Sequence, residues 1–243
     1  MGGANEVVEG GKAAVYSRFW QYMGADAFSS GGVVLNSKEI LAQVSQEVSA
    51  CARCILHHSR TKAVPGEGPA NAKIMFIGEG PGFHENEQGR PFVGAAGKFL
   101  DELLGKIGMN RSDVYITNVV KCRPPANRDP MPEELEACNE YLERQIQAIN
   151  PRVIVTLGRF SMACFLSNAK ISDVHGQAMR VRGRLVVPMY HPAAALHQGS
   201  LKPVIERDFA LLPELIARAA DAPEVEEPVP PAERTQPKQL SLF

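Results

Sequence analysis

Apolar positions along this chain change their period several times, and each change marks an element. Lys73-Ile-Met-Phe-Ile-Gly78 is a short unbroken apolar run, as expected of a strand buried on both faces. Gly94–Gly108 repeats at helical spacing instead, through Phe99, Leu100, Leu103, Leu104 and Ile107, and it closes on glycine. Asp113–Val120 and Arg152–Leu157 read as further strands, the second closed by Gly158 before another helix. Between them Pro132–Ile149 is predicted to be a helix, with proline near its start and acids in its first turn. Leu185–Tyr190 predicts a strand that runs into His191-Pro192, and Lys202–Ala219 a last helix. Upstream, a helix is predicted over Ser37–Ala50, delivering the chain to Cys51, and a short amphipathic helix over Ala14–Met23 in an otherwise Gly-rich stretch.

Strands alternating with helices of this length imply an α/β fold: a three-layer sandwich with a central, mostly parallel sheet and helices on both faces. Ligands of such sheets bind beyond the carboxyl ends of the strands. Those ends are Gly78–Gly82, Thr117–Cys122, Gly158 and His191–Leu196, and three of the four carry unusual chemistry. Four units follow from the composition: an extension over 1–35, a folded domain over 36–220, a Pro/Glu-rich linker over 221–238 and a terminal peptide over 239–243. The linker is expected to be disordered, since it cannot bury enough apolar surface to offset its ordering entropy.

Apolar content of 44% suits a packed core, and net charge is −1. The charge is unevenly spread. Residues 221–243 hold five acids and two bases; removing them from 27 acids and 26 bases leaves 22 and 24, a body of about +2 that permits a local basic face. No run approaches the ~20 apolar residues of a membrane helix. Five cysteines, an odd number with one Cys-x-x-Cys pair and no signal peptide, fit a reducing cytoplasm rather than a disulfide scaffold. Cys164 lies in the apolar stretch Phe160–Leu166 and reads as core.

Cys51, Cys54, Cys122 and Cys138 bracket the chemistry-bearing segment. Four thiolates can close a tetrahedral zinc site or hold the corners of an iron–sulfur cluster, and either would tie together everything between them. The wide gap from Cys54 to Cys122 disfavours a compact zinc ribbon.

Interleaved with those cysteines are Gly78-Glu79-Gly80-Pro81-Gly82, Gly89-Arg90-Pro91-Phe92-Val93-Gly94, Thr117-Asn118-Val119-Val120-Lys121-Cys122-Arg123-Pro124 and His191-Pro192-Ala193-Ala194-Ala195-Leu196. In that order, over roughly Ser49 to Leu212, they closely resemble the family 4 uracil-DNA glycosylases, the iron–sulfur branch of the uracil-DNA glycosylase superfamily. The resemblance implies a monofunctional hydrolase. It would flip uracil out of DNA, break its N-glycosidic bond and leave an abasic site. It also implies a four-iron, four-sulfur (4Fe–4S) cluster of structural role on the four cysteines, in place of zinc.

The same resemblance assigns roles. Phe92 would stack on the flipped base, although an isolated Phe reads as an ordinary core aromatic. Asn118 would read uracil, because a side-chain amide both accepts from N3–H and donates to O4, whereas cytosine inverts the second contact. His191 would donate to uracil O2 as negative charge builds on the leaving base. Amides around Glu79 and Gly80 would line the pocket. Glu85 would fill the space beside uracil C5 or position the water. The better-known uracil glycosylases carry an aspartate where Gly80 stands here, and Phe83, His84 and Asn86 depart from the usual acidic stretch.

Lys121, Arg123 and Arg128, with the Arg180/Arg182/Arg184 run, are expected to meet DNA phosphates; alternate residues of a strand would put that run on one face. Leu196 is a candidate wedge into the gap left by the base. A related branch traps uracil-DNA covalently through a His-containing insertion, but the segment between Cys122 and Cys138 has no His, which favours turnover over a non-turnover uracil-binding module. Gln239-Leu240-Ser241-Leu242-Phe243 resembles the peptide by which bacterial proteins dock on the replication sliding clamp, with Leu240, Leu242 and Phe243 as apolar anchors. The expected protein is a cytoplasmic monomer.

Overall fold

A computed structural model of the protein describes residues 35–181 and 183–218. The Ala14–Met23 helix, Arg182, the Pro/Glu-rich linker and Gln239–Phe243 lie outside the described residues. Helix α1 spans Ser37–Ala50. Asn36 starts it: its side-chain oxygen accepts from the amides of Lys38 and Glu39 while Glu39 reaches back to the Asn36 amide, which satisfies donors left open by the first turn. Strand β1 (Ile74–Gly78) is followed by a short helix α2 (Phe83–Gln88), helix α3 (Ala95–Lys106) and strand β2 (Tyr115–Asn118). Helix α4 (Pro132–Ile149) has proline in its first turn and ends where Asn150 turns left-handed ahead of Pro151. Then come β3 (Val153–Leu157), the short helices α5 (Arg159–Ala163) and α6 (Ile171–Val174), β4 (Met179–Val181), β5 (Arg184–Met189), α7 (Pro192–His197) and α8 (Lys202–Ala217).

The strands form one sheet in the order β2-β1-β3-β5-β4, parallel throughout except that β4 joins β5 as an antiparallel hairpin. Alternation along β1 shows why three layers result. Met75 and Ile77 face a core with Val44 and Val48 of α1 and Leu135, Leu142 and Ile146 of α4. Ile74 and Phe76 face the opposite core with Leu100 and Leu103 of α3 and Phe209 of α8. Each fully buried Leu or Phe contributes roughly 1.5–3 kcal/mol to that packing. Both faces are thus covered, as unbroken apolar strands require. A paired Arg144 and Glu47 lock α4 to α1 across 97 residues of sequence.

The expected three-layer α/β fold is therefore observed, with shorter strands. Asp113 belongs to a turn that precedes β2, where its carboxylate accepts from the Asn110 amide. At the other end, Val119 and Val120 leave the ladder and donate to the carbonyls of Gly78 and Glu79 across the strand tips. No described helix is long and apolar enough to cross a membrane.

Candidate functional site

Because β2, β1, β3 and β5 run parallel, their carboxyl ends lie along one edge of the sheet. Gly78 and Asn118 are register partners there, and beside them the Gly158 amide donates to the Met189 carbonyl at 2.8 Å. Asn118 and His191, 73 residues apart in sequence, are thereby delivered to the same edge of the sheet.

The side chains converge over Gly78. A Cβ added at that position would overlap the Asn118 side-chain oxygen and would lie 2.7–2.8 Å from the Phe92 ring. The Phe92 and His191 rings face each other at 5.4 Å, tilted by 23°, and a Cβ at Gly158 would lie 3.3 Å from that of His191. Amide, phenyl ring and imidazole therefore share one crevice. Asn118 is only 1% exposed, yet its side-chain oxygen has no hydrogen-bond partner. An unpaired buried acceptor costs about 1–3 kcal/mol, so this atom is poised for a donor that enters the crevice. Gly80 sits against Val120 and Pro124, with too little room for a larger side chain.

His191 caps α7: its Nδ1 accepts from the Ala193 amide at 3.0 Å. That bond leaves the proton of the neutral ring on Nε2, as a donor. Burial pushes the imidazole down to about 4, against a smaller upward pull from Glu85. Glu79 moves the other way. Burial and the charge of Asp129 raise its carboxyl to about 7, opposed by Arg159.

Glu85 is held by the backbone around it. Its two oxygens accept from three backbone amides: Gly82 at 3.1 Å, Val93 at 2.8 Å and Gly94 at 2.9 Å. The carboxylate clamps the glycine loop to the loop carrying Phe92 and uses three of its roughly four acceptor positions to do so.

Two expectations for DNA contacts are corrected. Lys121 is 1% exposed, and its ammonium donates to Thr117 Oγ1, the Asn118 carbonyl and Gln145 Oε1, each at 2.7 Å, so it braces the Asn118 strand end from inside and cannot reach a phosphate. Burial pulls that ammonium down to about 7, against a smaller upward pull from Cys138 and Cys164. The Arg180–Arg184 run does not lie along one strand. It spans the β4–β5 turn, so that Arg180 pairs with Leu185 and Arg184 with Val181 on opposite faces. Arg184 starts β5, at the edge of the sheet away from Asn118 and His191, and it donates to Asn150 at 3.2 Å.

Arg123 remains beside the site, its Nε bonded to Asn127 and its guanidinium 5.4 Å from the exposed Phe83 ring. Arg128 is bound by the buried Glu134 through two hydrogen bonds. Leu196 is exposed on α7, just beyond His191. Sequence reading passed over Arg111, whose guanidinium reaches the loop of Phe92. Its only sequence signal was an arginine just upstream of β2.

Cys51, Cys54, Cys122 and Cys138 line a single cavity together with Val48, Ala137, Tyr141, Arg53, His57, Arg60 and Lys121. Three of the sulfurs receive donors: Cys51 from the Arg53 amide at 3.5 Å, Cys138 from the Lys121 amide at 3.3 Å, and Cys122 from Arg60 at 3.5 Å. Burial pushes the Cys54 and Cys122 thiols up, and that of Cys138 up to about 12. Such thiols become thiolates only where bound cations supply compensating charge. Among the described residues, no group of three or more His, Cys, Asp or Glu is arranged to hold a metal ion. Cys164 is buried core, as expected.

Fold and crevice define a class: a three-layer α/β protein suited to hold a small planar group at the carboxyl ends of its strands. Residues 65–210 match the family model of the uracil DNA glycosylase superfamily. Curated relatives include type-4 uracil-DNA glycosylases of Sulfurisphaera tokodaii (48% identical, 72% of this chain and 84% of the relative), Archaeoglobus fulgidus (48%, 74% and 95%) and Thermotoga maritima (48%, 67% and 86%). The chain belongs to this superfamily and, within it, to the type-4 uracil-DNA glycosylases.

The two titrations can be followed by NMR. Glu79 should change protonation near pH 7 and His191 only near pH 4. An unfolded His protonates near ~6.5, so the His191 contribution to stability is complete above that pH and is lost as pH falls towards 4. A His191 midpoint near the ordinary value would show that the ring is not held neutral.

Proposed function

We propose that this protein repairs DNA by hydrolysing the N-glycosidic bond of uracil, releasing the free base and leaving an abasic site. One observation carries the reading: the unpaired, buried oxygen of Asn118, set over Gly78 and between Phe92 and His191. Uracil N3–H supplies the donor that oxygen lacks, and the amide nitrogen then faces O4. Cytosine has an unprotonated N3 and an amino group at C4, so it would mismatch both contacts. A buried polar reader rejects such a partner strongly because its own groups stay unpaired. The near-parallel Phe92 ring offers the flat face on which an extruded pyrimidine stacks.

Cleavage transfers negative charge to the base. His191, neutral with its proton on Nε2, then donates to uracil O2 without first giving up a charge of its own. With Glu85 engaged by three amides, Glu79 orients the attacking water, and near neutral pH it exists in both protonation states. Arg123, beside the exposed Phe83, would meet a DNA phosphate, and the exposed Leu196 would fill the space vacated by the base.

Cys51, Cys54, Cys122 and Cys138 fit a 4Fe–4S cluster. An all-thiol donor set around one cavity, with N–H donors to three of the sulfurs, suits a centre larger than a single ion. The cluster would supply a rigid cross-link. Cys122 follows Lys121, which holds the Asn118 carbonyl, so the cross-link bears directly on the base reader. The setting is a reducing cytosol, the protein acts as a monomer, and residues 239–243 tether it to the sliding clamp.

Asn118→Ala should lower uracil excision by about 100-fold or more, scored as alkali-sensitive strand breakage of a uracil-containing oligonucleotide, with thermal melting unchanged. Excision near the parent rate would reject Asn118 as the reader, and intact strands with the parent protein would favour a non-turnover binding module. Protein purified without oxygen should be brown and carry iron and sulfide in equal amounts, and Cys138→Ser should lose both; colourless protein containing zinc would overturn the cluster. Removing residues 239–243 should abolish binding to a bacterial clamp and spare excision of short oligonucleotides, whereas undiminished clamp binding would dismiss the tether.

A further inference from the structure

Phe92 has a backbone φ of 52°, in the left-handed region that bulky side chains avoid. Such a conformation costs on the order of 1–3 kcal/mol and persists only where neighbours over-determine it. Three contacts do so. The Glu85 carboxylate holds the amides that follow, of Val93 and Gly94. The first turn of α3 presses against the Phe92 carbonyl so closely that a Cβ at Gly97 would overlap it. From the third side Arg111 donates to two successive carbonyls, NH1 to Phe92 at 2.9 Å and NH2 to Pro91.

Arg111 is itself fixed. Its Nε donates to Glu67 Oε1 at 2.5 Å, and its NH1 also reaches Asp101 at 3.2 Å. Glu67 is gripped on both oxygens by Arg90, at 2.8 and 3.2 Å. Its backbone is bridged to Ile116 of β2 by hydrogen bonds of 2.9 and 2.8 Å. A continuous set of bonds thus runs from β2, through Glu67 and Arg111, to the peptide of Phe92. Only a planar guanidinium combines an ion pair at Nε with two forked donors; lysine offers a charge but no fork.

We propose that Arg111 is a positioning residue for uracil excision: seated on Glu67, its guanidinium fixes the left-handed Phe92 so that the ring is held over Gly78 and beside His191 before DNA arrives. The inference rests on Phe92 being the surface on which the base stacks. Preorganising that ring removes an ordering cost from the step that captures the flipped base.

A double-mutant cycle tests it, with single-turnover excision of uracil from an oligonucleotide as the readout. Phe92→Ala and Arg111→Met should each slow excision by about 10- to 100-fold. The double variant should be no slower than Phe92→Ala alone, because Arg111 acts through that ring. Arg111→Lys should fail to rescue, since it restores charge without the fork. Losses that multiply in the double variant, or full rescue by lysine, would overturn the proposal. Phe92→Ala at the parent rate would instead remove the stacking reading on which it depends, and the proposal with it. If Arg111→Met does not fold, Glu67→Gln keeps the guanidinium and loosens its seat. It should then show a smaller loss that likewise vanishes in the Phe92→Ala background, and a loss that persists there would overturn the idea.

Discussion

The parallel pairing of β1 with β2 and β3 is the constraint from which the site follows. Parallel neighbours end at the same edge, so one register brings Asn118 beside Gly78 and another brings Gly158 beside the end of β5, from which His191 projects. The missing side chain at Gly78 then matters as much as those present. The space a Cβ would fill is the space over which the Asn118 amide and the Phe92 ring meet. Were any of these strands antiparallel, the same residues would sit at opposite edges of the sheet.

Around that register the protein builds its site from rigid backbone attachments. Glu85 ties the glycine loop to the Phe92 loop by three amides. His191 is oriented by the amide of Ala193, which also fixes which nitrogen carries the proton. Lys121 sits under the Asn118 strand end with every donor matched to an acceptor at 2.7 Å. Charged groups are thus used internally, as braces, while the side chains that converge over Gly78 are an amide, a phenyl ring and a neutral imidazole. That distribution suits a reaction in which charge appears only as the bond breaks: the donors are already in place and need not reorganise. Lys121 lines the cysteine cavity and holds the Asn118 carbonyl, so that cavity and the Asn118 strand end share one short piece of chain.

Several residues show where sequence reasoning stopped. Lys121 stands in a motif beside Cys122 and Arg123, and lysines in such company usually face solvent; only the packing of α4, which brings Gln145 to it, reveals that it is buried. The arginines at 180 and 184 alternate like one strand face, but a turn at Gly183, with φ of 76°, reverses the chain between them. Glu85 was recognised as a site residue, yet its role depended on where the amides of Val93 and Gly94 fell. Arg111 carried no motif at all. Its importance comes from two carbonyls nineteen and twenty residues earlier in the chain.

The sequence by itself determined the three-layer α/β architecture, the order of its main strands and helices and the four-cysteine set, while the trio of Phe92, Asn118 and His191 was legible through the resemblance its motifs carry. These are legible because apolar periodicity, capping residues and short motifs are local properties, written within a few residues of where they act. Tertiary structure decided which charges are braces and which face outward, which nitrogen of His191 keeps its proton, and how a strained phenylalanine is held. Those outcomes depend on burial and on hydrogen-bond partners contributed by distant segments, and one-dimensional order does not record which donors and acceptors folding brings within three ångströms of each other.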